Sequence, residues 1–272
     1  GKVTFTGTNT YSGGTEVQAG AALSISSSSN LGSGTLALIG SSTVPATLYT
    51  TADMTISNAI TVKGDPVFNV APSTTTTVSA AITDGGGSGD VVVSGGGTLA
   101  LTAANTYTGL TSVDAGSTLS LSGSGSIATS SSLTNNGTFS ITGKSSNVSV
   151  ATYTQAGTGT LAMNFSPTNN QRLNVTGAAT LGGTLSLTAS AGTYSTGKYT
   201  LLTSSGITGT FGSLNANLSS YTSLGYGLSY DANNVYLLLS SNPADTQQSL
   251  TNTASALQSS ITLQNTVLIN SF

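Results

Sequence analysis

The sequence predicts an all-β fold, a right-handed parallel β-helix (solenoid), and three observations predict it. The first is an internal repeat in the 272-residue chain. Asn9, Thr10 and Tyr11 return as Asn105, Thr106 and Tyr107, and Gly13, Thr15, Val17, Ala19, Gly20 and Leu23 return as Gly109, Thr111, Val113, Ala115, Gly116 and Leu119. The offset is a constant 96 residues without a gap, which marks a repeat architecture. The second observation is alternation. Leu99 and Leu101, then Val113, Leu119 and Leu121, alternate with small or polar residues, and a period of two places them on one face of a strand. The third is punctuation: Asn and Gly stand between the runs, where turns require them, and no convincing helical period appears before residue 243.

One such strand–turn–strand unit cannot bury its apolar face alone, so it needs a copy above and a copy below. The offset fits about four coils of roughly 24 residues. Extended along the chain, the same spacing predicts about ten coils, a stack near 48 Å tall at roughly 4.8 Å per coil.

In chain order, the first repeat continues through a loop at 26–30 to an apolar run at 36–38. Further short runs follow at 47–49, 54–56, 60–62 and 91–93, with 74–82 read as one strand. Pro45, Pro66 and Pro72 sit at run ends, where the missing N–H is tolerated. The stretch 84–90, Asp-Gly-Gly-Gly-Ser-Gly-Asp, reads as a turn. Beyond the second repeat, 126–141 alternates around Asn135-Asn136-Gly137, and runs at 153–155, 161–163, 173–175 and 185–187 continue the coils. After Gly192 aromatic residues become denser, from Tyr194 to Tyr236. Runs at 228–230 and 235–239 flank Asp231-Ala232-Asn233-Asn234, the pattern of a β-hairpin. A solenoid needs such a closure, because its last coil otherwise leaves an apolar layer and an unpaired edge open. From Asn242 the texture is helical, with Pro243 at the first position, Asp245 in the first turn, and Leu250, Leu257, Ile261 and Leu268 on one narrow stripe. A helix of about 26 residues would be roughly 39 Å long, near the thickness of a bilayer with its headgroups. It is too polar to face lipid. The expected organisation is therefore a β-helix stalk over 1–190, a C-terminal β-hairpin cap over 191–241 and a short C-terminal linker helix over 242–272.

Composition narrows the function. Hydrophobic residues make up 37% of the chain, which decides against a disordered Gly/Ser/Thr linker. Charged residues make up only 5%, so stacked Thr, Ser and Asn must supply the solvation. Cys and His are both absent, which removes disulfides, thiolate metal sites and Ser-His-Asp catalysis. The net charge of −3 comes from scattered groups, and without a basic stripe nucleic acid is not an expected partner. There is no run of 18 apolar residues and no signal peptide at Gly1. The chain opens in mid-pattern, and the expectation is a fragment of something longer or a mature piece.

The motif Asn-Thr-Tyr-x-Gly-x-Thr-x-Val-x-Ala-Gly at 9–20 and 105–116 resembles the passenger-associated transport repeat of bacterial autotransporters, the type V secreted proteins. The segment 194–239 is similar to their C-terminal folding cap, often called the autochaperone region. The resemblance implies a surface-exposed, secreted passenger attached to the outer membrane through its own β-barrel translocator. That barrel would follow residue 272, with 242–272 threading it. Folding of the cap would nucleate the stack during secretion. Adhesion to host or glycan, or self-association into a homo-oligomer, is the expected role. The alternatives are a self-assembling filament or surface-layer subunit, and a stalk carrying an enzymatic domain upstream.

Sharper readings lose to plainer ones. The stretch 84–90 approaches a calcium-binding nonapeptide, but it is one residue short and occurs once, whereas such loops act as arrays. The carboxylates Glu16, Asp53, Asp65, Asp84, Asp90, Asp114, Asp231 and Asp245 could serve a polysaccharide-cleaving site only as neighbours on successive coils, and they read as isolated solvated charges. Tyr11 and Tyr107 read as packing, not glycan platforms. Lys2, Lys63, Lys144, Arg172 and Lys198 are too scattered for a patch. Five Asn-x-Ser/Thr sites, from Asn136 to Asn217, are expected by chance in so polar a chain. No residue is expected to be catalytic, to bind a cofactor or to ligate a metal.

Overall fold

A computed structural model describes residues 1–168 and 171–241. The linker helix expected over 242–272 lies outside the described residues. The fold is an all-β parallel solenoid of about eight turns, fewer than the ten expected, although one of its sheets reaches ten strands.

That long sheet climbs from Lys2–Phe5 through Ala22–Ile25, Thr47–Thr50, Val67–Val70, Val91–Ser94, Thr111–Val113, Leu133–Asn135, Tyr153–Gln155 and Ala178–Leu181 to Gly206–Gly209, every step parallel. A second sheet of eight strands runs from Met54–Ile56 to Ser213–Ala216. The third face begins as a four-stranded parallel sheet, Thr15–Gln18, Leu36–Ile39, Ile60–Gly64 and Ile82–Gly89. It ends in a five-stranded sheet that opens with Val148–Val150, Leu173–Val175 and Gly197–Thr203 in parallel. Parallel stacking thus continues to Ala216, beyond residue 190.

Coil length is not uniform. One turn takes 20 residues from Lys2 to Ala22 and 28 from Ala178 to Gly206. The two repeats therefore do not stack on one another. Four turns carry the strand Lys2–Phe5 to Val91–Ser94 on the same sheet; one face further on lies Thr98–Leu101, its repeat counterpart. The offset of 96 is four turns plus one face, not four turns. Likewise Thr15–Gln18 lies on the third face and its counterpart Thr111–Val113 on the long sheet. The unit encodes a strand, a corner and a strand, and any of the three faces can host it. Its second corner is the same in both copies: Gly20 and Gly116 take φ of 77° and 81°, a left-handed conformation that costs glycine little.

Strand alternation builds one continuous core from Val17 to Leu239. Within it Leu99, Leu119, Phe139, Leu161 and Leu185 stack in register down the eight-stranded sheet, each fully buried. One residue earlier, pointing outward, Thr75, Thr98, Thr118, Thr138, Thr160, Thr184 and Ser213 form a column of hydroxyls. This column solvates the face that charges would otherwise cover.

Two local readings are corrected. The run 74–82 is not one strand; Thr75–Val78 and Ile82–Gly89 belong to different faces with a corner between them. The stretch 84–90 is not a chain reversal. It is a bulge within Ile82–Gly89, in which Asp84 pairs with Val62 and Gly89 with Gly64, so the Gly-rich residues between them bow outward.

At the C-terminal end Gly225–Tyr230 and Asn234–Ser240 pair antiparallel, and the second of them pairs antiparallel with Gly197–Thr203. The hairpin meets the last coil through backbone carbonyls and the Tyr230 hydroxyl. Ser204 and Ile207 donate to the carbonyls of Asn233 and Ala232 at 2.7 and 2.8 Å, and the N–H of Phe211 donates to the Tyr230 hydroxyl at 3.2 Å. Phe165 lies between Tyr194, stacked at 5.6 Å, and Tyr199, edge-on at 5.3 Å.

Candidate functional site

The repeated motif is the natural place to look for a role, and its polar residues prove to be structural clamps. Asn105 is buried at the third face, between Thr98–Leu101 and Thr111–Val113 in the chain. Its Nδ2 donates to the carbonyls of Ala103 at 3.0 Å and Ser126 at 2.9 Å, and its Oδ1 accepts the backbone N–H of Ile82 at 2.9 Å. Asn9 reproduces the donor half, giving its Nδ2 to Gly7 at 3.3 Å and Asn30 at 2.6 Å. In both copies the tyrosine hydroxyl bonds the threonine four residues on: Tyr11 with Thr15 at 2.6 Å, Tyr107 with Thr111 at 2.7 Å. Thr111 continues to Ser130 at 2.8 Å. Tyr107 is fully buried, and burial pushes its hydroxyl well above the ordinary tyrosine range. It packs and cannot offer a ring to a sugar. Tyr11 is only partly covered.

The acidic residues are less scattered than their sequence positions suggest. Asp84 Oδ1 accepts the N–H groups of Thr108 at 3.0 Å and Gly89 at 3.1 Å, and its Oδ2 accepts the Thr108 hydroxyl at 2.7 Å. Burial alone would raise this carboxyl, but the three donors outweigh it and hold it below the ordinary value. Asp53 caps Thr75 at 2.7 Å, Glu16 bonds Gln18, and Asp231 holds the hairpin turn. Asp245 lies outside the described residues. Against the reading of isolated charges, Asp65 and Asp90 stand in register on neighbouring coils, where the N–H of Asp90 donates to the Gly64 carbonyl at 2.8 Å. Sequence reasoning missed this pair because a coil of roughly 24 residues would set Asp65 beside Gly89. Among the described residues no three His, Cys, Asp or Glu side chains gather in a way that could hold a metal ion. An open groove of ≈ 540 Å³ near the first repeat is lined by uncharged polar groups, among them Asn9, Ser29 and Asn58.

The family model of the passenger-associated-transport-repeat matches residues 1–24 and 91–121. These are the two copies found by internal comparison. The repeat and the solenoid together fit an autotransporter passenger domain. Searches of curated proteins and of solved structures found no match. For a passenger, the repeat implies a translocator β-barrel as partner and secretion to the cell surface. The clamp at Asn105 holds three successive coils together through one carboxamide, in a chain without cysteine. No helix among the described residues is long and apolar enough to cross a membrane.

Proposed function

We propose that the chain is the non-enzymatic stalk of an outer-membrane-attached passenger, holding an adhesive or self-associating surface away from the cell. In this reading residues 191–241 cap the stack and nucleate its folding during secretion, and 242–272 lead into the barrel. The observation that carries the reading is the closure of the C-terminal end. The antiparallel hairpin covers the last coil with bonds from Ser204, Ile207 and Phe211. A coil formed on that closed end has a finished layer to pack against, and further coils can be added to it one at a time in the N-terminal direction. Each added coil buries further Val, Leu and Ile, at about 1.5–3 kcal/mol per side chain before chain entropy is subtracted. That gain supplies a pull on an unfolded chain without ATP.

The test is deletion of 191–241 from the intact secreted protein, followed by protease treatment of whole cells. Rapid loss of the coils is expected, and unchanged resistance would overturn the nucleating role. Aggregation and surface-binding assays on cells with and without the passenger test the adhesive role, and equal behaviour would refute it. A second reading is a self-assembling filament in which one solenoid end docks onto another, since a strand edge is a template for another chain. It requires the purified chain to grow in size with concentration.

A further inference from the structure

Charge is not spread evenly along the stack. Six of the eight acidic residues lie at or before Asp114, the next is Asp231, and residues 115–230 carry none. Three of the five basic residues, Lys144, Arg172 and Lys198, fall inside that stretch. Scattered along the chain, they are gathered by the fold on one face. The strands Val148–Val150, Leu173–Val175 and Gly197–Thr203 follow one another in the five-stranded sheet, and each coil delivers one cation at or just before the start of its strand. Backbone contacts tie the first two coils together there. The Arg172 N–H donates to Asn147 Oδ1 at 3.0 Å, the Val148 N–H donates to the Arg172 carbonyl at 3.0 Å, and Gln171 Nε2 donates to the Lys144 carbonyl at 2.9 Å. Arg172 and Lys198 are exposed and Lys144 is half-buried. Lys198 leans to the hairpin, its Nζ 5.1 Å from the centre of the Tyr236 ring. Asp231, in the hairpin turn, is occupied by Tyr236 and by the N–H groups of Asn233 and Asn234.

Lys144 also stands on the wall of an open groove of ≈ 480 Å³. Three successive coils build it from equivalent corner segments, 142–145, 164–166 and 188–190, where strands of the eight-stranded sheet end. Gln171, only 3% exposed, fixes its shape. Its Nε2 donates to the carbonyls of Ile141 and Lys144 at 2.8 and 2.9 Å, and its Oε1 accepts the Asn164 N–H at 3.0 Å. Lys144 is held as well, its Nζ donating to the Gly123 carbonyl at 2.7 Å. An ammonium has three donors, so this bond leaves two for a ligand. The rest of the lining is hydroxyl and amide, from Thr142, Asn164, Thr188 and Ser190 among others. Such groups suit a partner rich in hydroxyls. No ring opens onto the groove, since Phe165 beneath it is fully buried. Stacking therefore contributes nothing, and charge has to supply the affinity.

We propose that this groove, with Lys144 in its wall and Arg172 beside it, binds an acidic polysaccharide. Sugar hydroxyls meet the polar lining, and carboxylate or sulfate groups pair with the two cations, since hydrogen bonds to ionised groups are the strong ones. A linear acidic chain can continue along the stack toward Lys198, whereas a flat anionic membrane would meet the exposed cations without entering the groove. The adhesive stalk proposed above thereby gains a ligand class, and the assignment rests on that reading.

The experiment measures binding of the whole chain to oligogalacturonate, dextran sulfate, neutral dextran and phosphatidylglycerol vesicles at low and physiological salt. An acidic chain should bind, neutral dextran should not, and salt should weaken the complex by screening its ion pairs. Lys144→Gln and Arg172→Gln should each cost about tenfold in affinity, the worth of a hydrogen bond to a charged group. Lys144→Arg, which keeps the charge, should retain most of it, and Lys63→Gln, on the acidic part of the stack, should retain all of it. Thr188→Trp, at an exposed position, fills the groove without touching a charge and should abolish binding. No binding of either acidic chain at low salt, binding that survives Lys144→Gln or Thr188→Trp, or binding to vesicles in place of saccharides would overturn the proposal. Cell adhesion separates this site from the wider reading. Cells displaying Lys144→Gln that adhere as before refute the groove and leave the adhesive stalk standing. A groove that binds acidic saccharide on cells that do not adhere supports the site and refutes the adhesive role alone.

Discussion

The backbone N–H of Ile82 donates to Asn105 Oδ1 at 2.9 Å, while Asn105 Nδ2 reaches the Ser126 carbonyl on the other side at 2.9 Å. One side chain thereby ties its own coil to the one below and the one above. Asn105→Ala strands the Ile82 N–H in the buried interior, and a buried donor left unsatisfied costs about 1–3 kcal/mol. Asn9→Ala should cost clearly less, because Asn9 is only partly covered and bonds the carbonyls of Gly7 and Asn30 alone. Urea midpoints of the two variants check this, and equal shifts would contradict the three-coil role of Asn105.

A matched pair of glycines gives a second contrast within the same repeat. A methyl group on Gly109 would stand 2.2 Å from Asp90 Oδ1 and 2.4 Å from the Gly89 carbonyl, whereas one on Gly13 meets nothing within 4 Å. Overpacking of this kind costs about 1–3 kcal/mol. Gly109→Ala should therefore lower the thermal midpoint visibly and Gly13→Ala should leave it within error. The same substitution at equivalent positions of one motif would then report how closely the neighbouring backbone packs against each.

The repeat at Asn9 and Asn105 and the strands at 54–56, 153–155 and 173–175 could be read directly from the sequence, because a period of two and a turn residue on either side define a short strand without reference to its neighbours. What stacks on what could not be read. Register depends on the sum of every corner and bulge passed, and the bulge between Asp84 and Gly89 shifts it within a single strand. An average coil length misplaces Asp65 by one residue against Asp90 and turns the second repeat by one face against the first. The antiparallel hairpin at 225–240 was legible, since Asp231 announces its turn. Its bonding onto Ser204 and Ile207 was not, because these bonds run through backbone groups that every residue carries, and the bond from Phe211 to the Tyr230 hydroxyl depends on how the hairpin folds back over the coil.

The hairpin turn should respond to pH at both ends of the scale. Asp231 Oδ2 accepts the Tyr236 hydroxyl at 2.7 Å. This bond is the main cause holding the Asp231 carboxyl below its ordinary value, joined by the N–H groups of Asn233 and Asn234, and it holds the Tyr236 hydroxyl above its own. A depressed carboxyl contributes stability above its unfolded value, about 3.9, and loses it as pH falls through the folded one; a raised phenol contributes below its unfolded value, about 10, and loses it as pH rises through the folded one. The turn should be tightest between those limits. Tyr236→Phe should bring the Asp231 titration back toward ordinary aspartate by NMR, and an unmoved titration would show that the backbone donors alone hold it.

Core damage in this fold should stay local. Phe139 is fully buried, with its ring centroid 6.3 Å from that of Tyr153, and its strand Thr138–Gly143 touches only Thr118–Ser122 and Thr160–Phe165 within its sheet. Truncation of a buried phenylalanine costs about 3–5 kcal/mol. In a compact globule that loss would be shared by the whole cooperative unit, but in a solenoid each coil contacts only its neighbours. Phe139→Ala should therefore raise hydrogen exchange at 118–122, 138–143 and 160–165 while leaving Leu36–Ile39 and the hairpin strands near wild-type rates. Proteolysis of the variant should nick the same central coils first and release an N-terminal and a C-terminal block. Uniform acceleration along the chain would mean instead that the stack unfolds as one body, and the picture of coils added singly onto a capped end would have to be abandoned with it.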